Sequence, residues 1–195
     1  MATTAEIFSL STMRVTATGT LKSHTAEVAD TSGTTLATTD GAGFVRAAGS
    51  VLWEAPVIQE GGFKSSKDAF GSKTMVDIND AAGQPIGKIR VAKYRFAGRS
   101  KSFTFAVLDA AGDVVASIEP EEGSSDSYAL KVGDTMVGTM TVETVKLGFL
   151  KRARKYEVHI IGDVPEPART LLMVGVIRFD ALADGVAATA MHNSI

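Results

Sequence analysis

The segment that most constrains this chain lies near its C-terminus. Leu171, Leu172, Met173, Val174, Val176, Ile177, Phe179 and Leu182 cover every side of a helical wheel. A surface helix keeps one polar face, whereas a helix apolar all round must be enclosed by protein or lipid. The run contains Arg178 and Asp180, and it falls short of the roughly 20 apolar residues that cross a bilayer. A protein enclosure is therefore expected. Pro165-Glu166-Pro167 fits a helix start, with proline tolerated in the first turn and Glu166 favourable near the positive end. From Pro167 to Ala183 such a helix is roughly 25 Å long, enough to thread a small barrel. Gly185 is read as its C-cap, and the tail from 185 to 195 as frayed.

The rest of the chain supplies the enclosure. Apolar and polar residues alternate with period two, broken at intervals by turn residues, which signals consecutive β-hairpins. Phe103, Phe105 and Val107 share one face; so do Tyr128, Leu130 and Val132, and Tyr156, Val158 and Ile160. Between Ile86 and Phe96 the phase changes: Ile89 and Val91 share a face, then Ala92, Tyr94 and Phe96 take it over. Such a slip predicts a β-bulge, which bends a sheet and favours closure. Asp30-Thr-Ser-Gly33, Asp80-Ala-Ala-Gly83 and Asp109-Ala-Ala-Gly112 repeat one turn form. In it Asp can bond its own backbone and Gly can adopt the left-handed conformation.

The residues up to about Thr39 read as weaker strands of the same kind. Gly41 to Ser50 reads as a loose connection and Gln59 to Lys73 as a surface loop. The strand pattern resumes after each without a change of composition, so 1–195 is read as a single domain. The 195 residues suffice for a substantial core, and the 45% apolar and 22% charged content is that of a globular chain. Cysteine is absent, which excludes disulfides, thiolate metal sites and a cysteine nucleophile. The formal charge of −2 gives no global attraction to nucleic acid or anionic membrane. No basic-then-apolar leader precedes Leu10.

The Asp-x-x-Gly hairpins, the Ser127-Tyr-Ala-Leu130 and Tyr156-Glu-Val158 strands and the closing Leu171-Leu-Met-Val-Gly-Val-Ile-Arg-Phe-Asp180 helix resemble the Tubby C-terminal-like superfamily. Within it the pattern is most similar to the LURP-one-related branch, with phospholipid scramblases as more distant cousins. The resemblance is best from Met75 to Leu182. It implies a closed antiparallel barrel of about twelve strands around a central hydrophobic helix. Tubby domains bind phosphoinositides, and scramblases are linked to lipid movement. The 195 residues contain no cysteine for palmitoylation, and with neither a Pro-rich stretch before the strands nor a separate anchor read after the helix, a departure from the scramblase pattern is expected. No basic pair of the phosphoinositide-binding relatives aligns residue by residue.

Two basic sets are candidate binding residues. Lys146-Leu-Gly-Phe-Leu-Lys-Arg-Ala-Arg-Lys155 places Lys146, Lys151, Arg152, Arg154 and Lys155 around Phe149. At a hairpin tip the cations could meet lipid phosphates while Phe149 enters the interfacial region. The competing reading is a solvated turn whose Phe149 and Leu150 fold back on the barrel. The second set is Lys88, Arg90, Lys93 and Arg95, followed by Arg99 and Lys101. These suit a phosphorylated head group, or an outward strand face kept soluble by charge. No dinucleotide loop, P-loop, nucleophile elbow or histidine spacing for a metal is found. No catalytic residues, cofactor or metal are therefore expected, and no nucleic-acid partner.

The resulting expectation is a non-catalytic binding module, cytoplasmic or peripheral to a membrane, engaging anionic phospholipid head groups or a membrane-associated partner. The alternative is an intracellular protein-interaction or scaffold domain with no lipid binding.

Overall fold

The computed structural model describes residues 7, 10–20, 23–59, 74–97, 100–124, 126–146 and 152–192. The strands are β1 (Thr12–Thr20), β2 (Ser23–Ala29), β3 (Thr35–Thr39), β4 (Phe44–Ala47), β5 (Ser50–Glu54), β6 (Val57–Gln59) and β7 (Thr74–Asp80). They continue as β8 (Pro85–Ala97), β9 (Ser100–Asp109), β10 (Val114–Pro120), β11 (Ser127–Val132), β12 (Thr135–Lys146) and β13 (Arg152–Ile160), followed by helix α1 (Ala168–His192). All neighbours are antiparallel, in the order β5-β4-β3-β2-β1-β13-β12-β11-β10-β9-β8-β7-β6. Trp53 and Glu54 of β5 pair with Asp80 and Asn79 of β7, which closes twelve strands into a barrel. The short β6 continues along β7 beyond that junction, with Val57 opposite Val76.

The two-residue period sorts side chains between wall and lumen. Met13, Val15 and Ala17 are buried while Arg14 and Thr16 face solvent, and Tyr156 and Val158 are buried while Lys155 and His159 are exposed. The enclosed rod is α1. Every helix residue from Leu171 to Ala183 is buried, so the enclosure expected from its all-round apolar surface is realised. Phe179 meets Phe105, Tyr128 and Tyr156 edge-on, with ring centroids 5.1, 4.8 and 5.7 Å away. Edge-to-face contacts of this kind contribute about 1 kcal/mol each beyond the burial itself. Gly175 faces Ile89 and Ile118, whose methyls would stand 3.1 and 3.2 Å from an added Cβ. The wall thus touches the helix backbone there.

The Asp-x-x-Gly turns form as expected. Asp80 Oδ1 accepts the N–H groups of Ala82 and Gln84, and Asp109 Oδ1 those of Ala111 and Asp113. Asp30 does the same for Ser32 and Thr34. A fourth copy corrects the reading of Gly41–Ser50 as a loose connection. Asp40 Oδ1 accepts from Ala42 and Phe44, Gly43 has a φ of 96°, and β4 follows at once. The short β4, with only four residues, gave too little alternation to be read.

The bulge on β8 falls between Val91 and Lys93. Ala92 itself is the extra residue and is exposed, which corrects its assignment to the inner face. Tyr94 then stands opposite Phe103, as the phase change requires. At the C-terminus the helix does not stop at Gly185 but runs to His192, so 185–192 is helical and not a frayed tail. Glycine in a helix interior costs only about 1 kcal/mol relative to alanine, and Ala187, Ala188 and Ala190 restore helix propensity beyond it. The expected loop at Gln59–Lys73 lies, from 60 onward, outside the described residues.

Strand direction gives the barrel two distinct ends. The turns after β2, β4, β7, β9 and β11 surround the proximal end, where α1 begins. Strands β1, β3, β8, β10 and β12 finish at the distal end, toward which α1 runs.

Candidate functional site

Among the described residues the lumen is apolar along most of its length and turns polar toward the distal end. There α1 presents Asp180 and Asp184, which share one helix face because residues four apart are neighbours. Arg154 of β13 reaches inward to both. It donates to Asp180 Oδ1 and lies 3.4 Å from Asp184 Oδ1. Tyr156, two residues along the same inner face, donates to Asp180 Oδ1 at 3.1 Å. From the other side His24 of β2 brings Nδ1 to 3.6 Å from Asp180 Oδ2 and Nε2 to 4.0 Å from Asp184 Oδ2.

The register explains why these residues meet. Ala17 of β1 lies opposite Arg154, and Gly19 lies opposite both Arg152 and His24. A Cβ on Gly19 would stand 2.8 Å from His24 Nδ1 and 3.3 Å from Asp180 Oδ2. Glycine at this position therefore leaves the space in which the ring approaches the carboxylate.

The electrostatics of the cluster favour its charged form. Burial works against ionised Asp180, but His24, the Arg154 charge and the Tyr156 hydroxyl outweigh it and hold the carboxyl below its ordinary value. The 3.6 Å separation is longer than a hydrogen bond, so His24 acts on Asp180 as a neighbouring polar group. Burial would also lower Arg154, yet Asp180, Tyr156 and Asp184 reverse this and raise it. Burial, followed by the negative charge of Asp180, pushes the Tyr156 phenol well up. At neutral pH Asp180 is therefore a carboxylate, Arg154 a guanidinium and Tyr156 a neutral phenol.

The sequence-derived basic sets are placed differently from one another. Arg154 does not join a surface patch, because its guanidinium is committed inside the barrel. Phe149 and Lys151 lie outside the described residues, as do the side chains of Lys146 and Arg152; β12 finishes and β13 begins at the distal end. Lys155 is exposed on the outer wall, opposite Thr16 and Glu143. It lines an outer groove of about 520 Å³ with Arg14, Thr141, Glu143 and Glu157, where Arg14 and Glu157 approach to 3.7 Å. This groove carries both signs of charge.

The second set lies on another part of the wall, since β9 to β12 separate β8 from β13. Lys88, half-buried opposite Asp77, and exposed Arg90 face outward, as does Lys93. The Lys93 charge helps to lower the Glu119 carboxyl, after the larger effects of Lys131 and Ser117. The side chain of Arg95 lies outside the described part. Among the described side chains the two sets thus do not merge into one patch along the wall; what they share is the distal end, where β8 and β12 both finish.

Sequence reasoning did not assemble the His24, Arg154, Tyr156, Asp180 and Asp184 cluster. One signal for it was present: an enclosed helix carrying Asp180 and, one turn on, Asp184 needs partners from the wall. Comparison with family models, curated proteins and solved structures finds no match to this chain. No helix among the described residues is long and apolar enough to cross a membrane.

Proposed function

We propose that the protein is a non-catalytic binding module of the Tubby-like barrel class that meets anionic phospholipid head groups with the distal end of its barrel. The observation that carries this reading is that both basic segments, 88–101 and 146–155, span that same end, where β8 and β12 finish and β9 and β13 begin. A lumen filled by α1 leaves the exterior as the place for a large ligand. The class itself is proposed from the residue pattern of 75–182; the chain's closed twelve-strand barrel with a single C-terminal helix is compatible with it. The connection after β10 also lies at this end and carries Glu121, Glu122 and Asp126. Contact is therefore expected to tilt toward the β12–β13 side, where cations predominate. Attraction of each such cation to an anionic surface is worth about 1 kcal/mol.

The test is co-sedimentation of the full chain with vesicles of phosphatidylcholine alone or with phosphatidylserine or phosphoinositide added. Binding to the anionic vesicles that weakens with salt, and is lost in a Lys151→Glu, Arg152→Glu, Lys155→Glu variant, is the expected result. Arg154 stays unchanged because it supports the fold. Equal indifference to neutral and anionic vesicles sinks the proposal.

One observation favours a second reading. The outer groove with Arg14, Lys155, Glu143 and Glu157 presents both signs of charge, which suits a polar protein surface better than a uniformly anionic one. A stoichiometric protein partner, retained without lipid and lost on Arg14→Glu, would identify a scaffold domain.

A further inference from the structure

We propose that His24, Asp180 and Asp184 form a three-ligand site for a divalent transition-metal ion such as Zn²⁺ at the distal end of the barrel. One imidazole nitrogen and one oxygen from each carboxylate lie within 4.8 Å of one another. The shortest approach, 3.6 Å from His24 Nδ1 to Asp180 Oδ2, is too long for a hydrogen bond. It suits two donors sharing an ion: ligands about 2.1 Å from a tetrahedral Zn²⁺ stand roughly 3.4 Å apart. His24 Nδ1 is buried and has no hydrogen-bond partner, so a ligand for that nitrogen is wanting.

The carboxylate oxygens divide into two groups. Arg154 and Tyr156 engage Asp180 Oδ1, and Arg154 also approaches Asp184 Oδ1. The Oδ2 atoms are the ones nearest the His24 ring. Outer contacts that fix the far oxygen and turn the near one inward are how protein metal sites orient carboxylate ligands. Gly19 provides the room, because any larger residue would press on both His24 and Asp180. The Asp-x-x-x-Asp spacing on α1 supplies two ligands from one helix face. His24 and Asp184 each keep 19% of their side-chain surface exposed, which gives an ion a path in and leaves room for water as a further ligand. A nitrogen donor beside two carboxylates suits Zn²⁺, Co²⁺ or Ni²⁺, whereas Ca²⁺ and Mg²⁺ take oxygen ligands.

The experiment uses the full chain, first stripped with a chelator and then titrated with Zn²⁺ by calorimetry. The expected result is one ion per chain, an upward shift of the melting temperature, and affinity at least tenfold weaker in both His24→Gln and Asp184→Asn. Circular dichroism of the stripped variants checks that they fold. Should either fail to fold, the wild-type chain decides by NMR, because it has only three histidines. Zn²⁺ is expected to move the imidazole nitrogen resonances of His24 and to leave those of His159, which contacts Thr12 at 3.1 Å on the outer wall, unchanged. No saturable binding, full affinity in both variants, or movement confined to His159 or His192 overturns the site.

Discussion

Arg154 of β13 donates to Asp180 of α1, an ion pair that ties the barrel wall to the rod it encloses. Asp180 has 4% of its side-chain surface exposed, so removing Arg154 leaves its charge with little water to turn to, while removing Asp180 leaves Arg154 only its longer approach to Asp184. Asp180→Asn or Arg154→Met alone is expected to cost about 3 kcal/mol. The double variant should cost less than the sum, with a coupling of about 1–3 kcal/mol. Urea unfolding of the four proteins with a chelator present measures the cycle; strict additivity would show that the pair contributes nothing specific.

Gly87 of β8 lets the wall lie against Leu171 at the start of α1. A Cβ there would stand 2.4 Å from the Leu108 carbonyl oxygen and 2.8 Å from a Leu171 methyl. Gly87→Ala is expected to destabilise by about 1–3 kcal/mol through overpacking. Gly162 has open space around it, and Gly162→Ala should change the unfolding midpoint little.

Arg178 is 3% exposed, and its Nε has no hydrogen-bond partner. Among the described residues no carboxylate forms an ion pair with it; burial pushes it down to about 10 against the pull of Asp40. A charge held so far from water works against folding. Arg178→Met, of similar length and apolar, is expected to stabilise by about 1–3 kcal/mol in chemical denaturation. A loss of stability instead would reveal a partner for the guanidinium.

On the outer wall Lys131 Nζ lies 2.8 Å from Glu119 Oε2. Hydrogen bonds from Lys131 and Ser117 lower the Glu119 carboxyl, and Glu119 in turn raises Lys131. A depressed carboxyl stabilises above its unfolded value and loses that contribution as pH falls through its folded one. A raised amine does so below its unfolded value and loses it as pH rises through the folded one. Glu119→Gln should therefore be slightly less stable than the wild type near pH 7, with the gap closing as the pH falls through the lowered value of the folded carboxyl. A gap that stays the same from neutral pH down to the acid limit of the folded state would refute the linkage.

Much of the architecture was legible because it is written locally. The Asp-x-x-Gly turns at 30, 80 and 109 announce themselves by residue type, and the bulge on β8 by a slip in phase. The four-residue β4 escaped notice because so short a run shows no period. Gly185 misled for the opposite reason: a residue that often ends helices is also tolerated inside one when alanines follow. The basic segments were visible as composition, but composition does not say where a side chain points. Arg154 sits among surface-type cations in the sequence and yet falls on the inner face, two residues from Tyr156.

The sequence alone determined that this chain would build hairpins and that the segment around Leu171–Leu182 would be surrounded, because both follow from side-chain periodicity and the exclusion of apolar surface from water. The tertiary structure decided which polar groups share the distal lumen. His24, Arg154 and Asp180 come from the second strand, the last strand and the helix, and they meet only because β1 pairs with both β2 and β13 in one particular register. A local pattern fixes the face on which a residue lies; the order of strands around the ring fixes what it faces.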